Sequence, residues 1–91
     1  MKLINVIPTN NYELILRYSN NEVRVYDVKP LLEKGVFQLL KNKNVFYTVR
    51  IEESFDTVEW PNVINKPGYC SEIDIAPETL YQDSILIKGL I

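Results

Sequence analysis

The chain has 91 residues, of which 46% are hydrophobic and 24% charged, and a formal net charge of −2. That length holds one small domain, and the composition is globular rather than disordered or fibrous. One cysteine and no histidine exclude an intrachain disulfide, Ser-His-Asp and Cys-His nucleophilic systems and the commonest zinc sites.

Leu3 to Ile7 reads as a short strand ended by Pro8, which cannot donate to a central ladder. The same run, interrupted by Asn5, is too short for a secretory h-region, and no segment approaches the roughly eighteen apolar residues of a membrane span. Asn10-Asn11 is a turn signal. From Tyr12 to Tyr18 the pattern alternates, with Tyr12, Leu14, Leu16 and Tyr18 on one face and Glu13, Ile15 and Arg17 on the other. Ser19-Asn20-Asn21 is a second turn. Val23 and Val25 then share one face, with Arg24 and Tyr26 on the opposite one. Two period-two runs joined by an Asn-rich turn predict a hairpin.

At Asp27 the period changes. Asp27 is placed to cap a helix from Val28, Pro30 is tolerated in its first turn, and Gly35 is placed to end it in the left-handed conformation. A second short helix is predicted from Val36 to Lys41. Val45 to Glu52 returns to strand spacing, with Val45, Tyr47, Val49 and Ile51 on one side, and Asp56 to Trp60 is its predicted partner. Pro61 to Ser71 holds two prolines and a glycine without a clear period and reads as an exposed loop. Pro77 opens a helical turn to about Gln82. The fold class expected is α+β, an antiparallel sheet of about five strands with two or three short helices packed on one face. The domain is expected to span 1–83, followed by an apolar extension, 84–91.

Carboxylates are the only plentiful catalytic-type groups. A glycosidase-like pair needs two carboxyl groups roughly 5 to 10 Å apart across a cleft. Glu52 and Glu53 are strand neighbours that point to opposite faces, so they read as solvated surface groups. No spaced D-x-D-x-D-G loop is present, and three glycines, at 35, 68 and 89, cannot build a phosphate-cradling loop, so neither metal nor cofactor is expected. Cys70 reads as an incidental loop cysteine, and its solitary status fits a cytoplasmic location.

Charge is unevenly distributed along the chain. Met1 to Ile51 carries eight Lys and Arg against four acids, whereas Glu52 to Ile91 carries eight acids against Lys66 and Lys88. Such a split can mark separate basic and acidic faces unless strands from both halves interleave. Ile85, Leu86, Ile87, Leu90 and Ile91 are suited either to cover an edge of the chain's own sheet or to add to a partner's.

Three segments together resemble a family of short bacterial proteins known only as a domain of unknown function. They are the hairpin with Tyr12-Glu13-Leu14 and Val23-Arg24-Val25-Tyr26-Asp27, the run Pro30 to Phe37 leading to Leu39, and Val58-Glu59-Trp60-Pro61-Asn62 followed by Asp74 to Tyr81. The resemblance implies the same α+β architecture. Some members are similar to the N-terminal part of proteins carrying a helix-turn-helix domain, and others are encoded beside small toxin-like proteins, which implies an antitoxin-like or regulatory binding role. Here Val63 follows Asn62 and an insertion precedes Asp74, where the family passes through a glycine almost directly to its Asp-x-x-Pro-Glu segment.

The expectation is a cytoplasmic, non-enzymatic interaction module that binds a small basic protein. Glu72, Asp74, Glu78 and Asp83 would steer the partner, Ile85, Ile87 and Leu90 would anchor it, and Tyr26 would add an aromatic contact. An unpaired strand edge or tail exchange also allows a homodimer. The alternative is nucleic-acid binding through Arg17, Arg24, Lys41, Lys43 and Arg50, with Tyr26 or Tyr47 stacking on bases. A third reading, an enzyme using carboxylates alone, requires two of them to converge in a cleft.

Overall fold

Period-two alternation at the N-terminal end produces a three-stranded meander in the computed structural model, which describes residues 2–66 and 69–88, with side chains for 2–61 and 73–87. Strands β1 (Leu3–Pro8), β2 (Glu13–Tyr18) and β3 (Val23–Asp27) pair antiparallel in sequence order. The first turn places its left-handed residue at Tyr12 (φ 58°), whereas the second uses Asn21 (φ 70°). A positive φ is unfavourable for a bulky side chain. Tyr12 is held there by its ring against Phe46, 5.3 Å between centroids, and by its hydroxyl, which donates to the Lys41 carbonyl.

Leu14, Leu16 and Tyr18 are buried on one face of this meander, opposite an outer face that includes exposed Arg17. Register pairs Leu14 with Tyr26 and Leu16 with Arg24, so β3 turns its larger residues inward. Tyr26 is therefore not an interface residue. It is 5% exposed and belongs to the core, because the tyrosine face rather than the valine face lies over the interior.

The connection that follows is helical but tighter than the sequence suggests. Asp27 Oδ1 accepts from the Lys29 amide at 3.0 Å, and the predicted helix from Val28 is a 3-10 turn, Lys29–Leu31. Gly35 takes the left-handed conformation (φ 47°) and opens a second 3-10 helix, Gly35–Lys41. Lys43–Phe46 then forms the short helix α1, which takes the first two residues of the strand expected from Val45 to Glu52 and leaves only Arg50–Glu52 extended. The Asn42 side chain accepts from the Asn44 amide at 3.0 Å, a capping contact that favours a helical start over an extended one. The buried residue is consequently Phe46, outside the Val45-Tyr47-Val49 set, and Tyr47 is exposed.

A second sheet takes up the rest of the chain. β4 (Arg50–Glu52), β5 (Thr57–Lys66) and β6 (Tyr69–Asp74) pair antiparallel in that order. Of the segment expected to be a loop from Pro61 to Ser71, residues 61–66 instead prolong β5 and 69–71 begin β6, and residues 67–68 lie outside the described residues. Pro61 obscures this in the sequence: it sits at a register shift between Trp60 and Ile64, an irregularity that accommodates a residue without an amide hydrogen. Helix α2 (Pro77–Gln82) follows, and β7 (Ile85–Lys88) returns to pair antiparallel with β3.

The described residues thus hold a four-stranded sheet, β1-β2-β3-β7, and a three-stranded one, β4-β5-β6, rather than one sheet of about five strands. Both contribute to a single core: Leu14, Leu16 and Tyr26 from the first, Val58, Trp60 and Ile73 from the second, with Leu40, Phe46 and Leu80 from the helical segments. Helices α1 and α2 both pack against β5.

Candidate functional site

Arg24 lies on the core face of β3, and its guanidinium is met by Glu22, two residues away, and by Ser84 and Tyr81 from the far end of the chain. Nε donates to Ser84 Oγ at 2.6 Å, one terminal nitrogen to the Ser84 carbonyl at 3.2 Å, and the other to Glu22 Oε1 at 3.1 Å. The same guanidinium lies 4.2 Å from the centre of the Tyr81 ring, and the Tyr81 hydroxyl donates to Glu22 Oε1 at 2.6 Å. This closed network ties α2 and the start of β7 to the first sheet. The hydroxyl of Tyr81, with Arg24 behind it, holds the Glu22 carboxyl below the ordinary glutamate range. Tyr81 is raised in turn by the carboxylate it donates to.

Beside this network an open cleft of about 390 Å³ lies between the end of β2, the turn joining β4 to β5, and α2. Tyr18 lines it from the first sheet, Asp56 from the turn, and Pro77, Glu78 and Tyr81 from the helix, and Phe55 stands at its rim, 68% exposed. Tyr18 packs edge-on to Tyr81 at 5.2 Å between centroids. Burial pushes the Tyr18 phenol up to about 12, a shift that Arg24 opposes and the charge on Asp56 reinforces. Both the Tyr18 hydroxyl and Asp56 Oδ1 are buried with no hydrogen-bond partner. Buried polar groups are satisfied in the great majority of cases, so two orphans in residues lining one cleft are a departure that calls for a cause. Asp56 adopts φ 53°, a conformation aspartate tolerates better than most residues.

Asp56 and Glu78 therefore place two carboxylates on one cleft, as a carboxylate-only enzyme would need. A general acid also needs a water-poor setting that raises its affinity for the proton, and Glu78 is exposed in an open cleft. No cluster of three metal-ligating side chains occurs among the described residues.

The remaining residues singled out from the sequence are dispersed. Asp74, Glu78 and Asp83 are exposed, and none forms an ion pair among the described residues. The Glu72 side chain and Leu90 lie outside the described residues. On the edge strand β7, Ile85, Leu86 and Ile87 are 70%, 46% and 58% exposed. Register aligns Ile7, Ile15, Val25 and Ile85 across all four strands, an aliphatic row on the outer face of the first sheet. Four of the five cations singled out from the sequence are engaged by partners within the chain. Arg24 is committed to the network, Lys41 pairs with Glu33 at 3.0 Å, Arg50 with Glu59 at 2.7 Å, and Lys43 donates to the Asn10 carbonyl. Arg17 stands exposed on the outer face of β2.

The meeting of Tyr18 with Asp56 at one cleft and the alignment of Ile85 with Ile7, Ile15 and Val25 were not read from the sequence. Their significance depends on register and on the approach of α2, neither of which alternation reveals. Comparison with known families gives a match to the model of DUF2442, proteins of unknown function, over residues 3–85, from β1 to the first residue of β7. The chain belongs to this family. The match bears out the resemblance to a domain of unknown function. No curated protein and no solved structure matches this DUF2442 chain.

Proposed function

We propose that this chain is a non-catalytic, cytoplasmic protein-interaction module of antitoxin-like or regulatory type, and that it binds a small basic protein. The observation that carries the reading is β7: three consecutive aliphatic side chains exposed on an edge strand. An apolar edge strand is a liability that natural sheets blunt with charge, proline or a cover, or else use to add a strand from a partner, and β7 carries a single charge, at its last residue Lys88. The row Ile7, Ile15, Val25 and Ile85 continues that apolar surface across the sheet. Asp83, exposed at the approach to β7, with Glu78 and Asp74, favours a cationic partner and repels an anionic one.

The test is affinity purification of the tagged full chain from its host, with RNase treatment, beside the double variant Ile85→Asp and Ile87→Asp. The expected result is a basic protein in stoichiometric yield, retained after RNase and lost with the double variant. The same set of retained proteins from both chains, or loss of the partner on RNase treatment, refutes the reading.

A further inference from the structure

The cleft between β2 and α2 combines features that select one kind of group. Tyr18 is 3% exposed, yet its hydroxyl has no partner, and Asp56 Oδ1 beside it has none either. A carboxylate oxygen only accepts hydrogen bonds, and a phenol oxygen can accept one in addition to the one its O–H donates. Asp56 and Glu78 make the lining acidic, and no cation lines it. The cation beside it, Arg24, is engaged by Glu22, Ser84 and the Tyr81 ring. An anionic ligand would meet two carboxylates without compensation, while a neutral apolar one would leave the buried oxygens unsatisfied.

We propose that this cleft binds a guanidinium group, the arginine side chain of the basic partner. Guanidinium is planar, weakly hydrated and carries five donors, so it can serve the carboxylates of Asp56 and Glu78 while lying against the aromatic rim at Phe55, and a rotation of the Tyr18 and Asp56 side chains brings their buried oxygens to it. An ammonium group has three donors on one strongly hydrated atom and matches separated acceptors less well. The inference rests on the proposed function only for the owner of the guanidinium group.

The experiment is an NMR titration of the full chain with N-acetyl-arginine amide, N-acetyl-citrulline amide and unmodified arginine. It is repeated on Asp56→Asn, whose new residue tolerates the left-handed backbone, and on Tyr18→Phe, which removes only the orphan hydroxyl; thermal melts verify both folds. Saturable shifts at Tyr18, Phe55 and Tyr81 are expected with the blocked arginine, none with the uncharged citrulline derivative. Each variant is expected to weaken binding by about tenfold. Equal binding of the citrulline derivative, absence of saturable shifts, or unchanged affinity in Asp56→Asn overturns the proposal. Tighter binding of unmodified than of blocked arginine assigns the cleft to a small molecule and overturns the side-chain version. The β7 double variant leaves probe binding intact, so the two proposals fail separately. A chain that binds the probe but retains no partner refutes the proposed function, and one that retains its partner through β7 but ignores the probe refutes the cleft.

Discussion

Trp60 Nε1 donates to the Phe46 carbonyl at 2.9 Å, and the two rings stack with centroids 6.1 Å apart. Both side chains are fully buried, so this contact joins α1 to the second sheet at the centre of the core. Trp60→Phe removes the indole donor and leaves a void, while the Phe46 carbonyl keeps only the longer bond from the Val49 amide at 3.3 Å. We expect it to lower unfolding stability by about 2 to 4 kcal/mol with an unchanged urea m-value. A loss below about 0.5 kcal/mol would show that the contact is incidental.

Arg24 governs the docking of β7. Arg24→Met keeps the aliphatic stem but removes every bond to Ser84 and Glu22. Amide hydrogen exchange in β7 is expected to accelerate by about tenfold or more, while exchange in β1 and β2 stays near its original rate. Uniform acceleration throughout the first sheet contradicts a local role.

Glu22 predicts an acid-side signature. Its folded carboxyl titrates below the usual 4.5, so its contribution is present above that value and disappears as pH falls through the lowered folded value. Stability curves measured down this acid range should be flatter in Glu22→Gln than in the original chain. Identical slopes refute the assignment.

Tyr18 acts at the opposite end of the scale. Its phenol is raised from 10.0 to about 12 by burial, so the folded state holds a proton that the unfolded chain releases. Stability is therefore unaffected below the unfolded value and declines as pH rises from 10 towards 12. Tyr18→Phe removes that part of the alkaline loss, and the phenolate absorbance of the original chain includes a late-titrating tyrosine absent from the variant.

Gly35 isolates a backbone effect. A Cβ added there meets nothing within 4 Å, so the whole penalty of Gly35→Ala comes from φ +47°. About 1 kcal/mol is expected, with Gly35→Asn closer to the original because asparagine tolerates this region. Chemical denaturation of the three proteins decides it. A cost several times larger indicates a steric clash instead.

How much was legible divides along a physical line. The alternation of Leu14, Leu16 and Tyr18 against Glu13, Ile15 and Arg17, the turn at Asn21 and the left-handed Gly35 are local properties of a few adjacent residues, and the sequence by itself determined them. Val45 was ambiguous because one apolar residue in every two and one in every three or four coincide over so short a run, and the Asn42 cap favoured the helical alternative. Pro61 hid a strand because its missing amide hydrogen matters only where a ladder partner is due. Tertiary structure alone decided which face of β3 lies inward, that β7 joins β3, that Arg24 is enclosed by Ser84, Glu22 and Tyr81, and that Tyr18 meets Asp56 at one cleft. Each of these depends on contacts between residues far apart in the chain, and such contacts are set by how two sheets and a helix share one core rather than by the period of any segment.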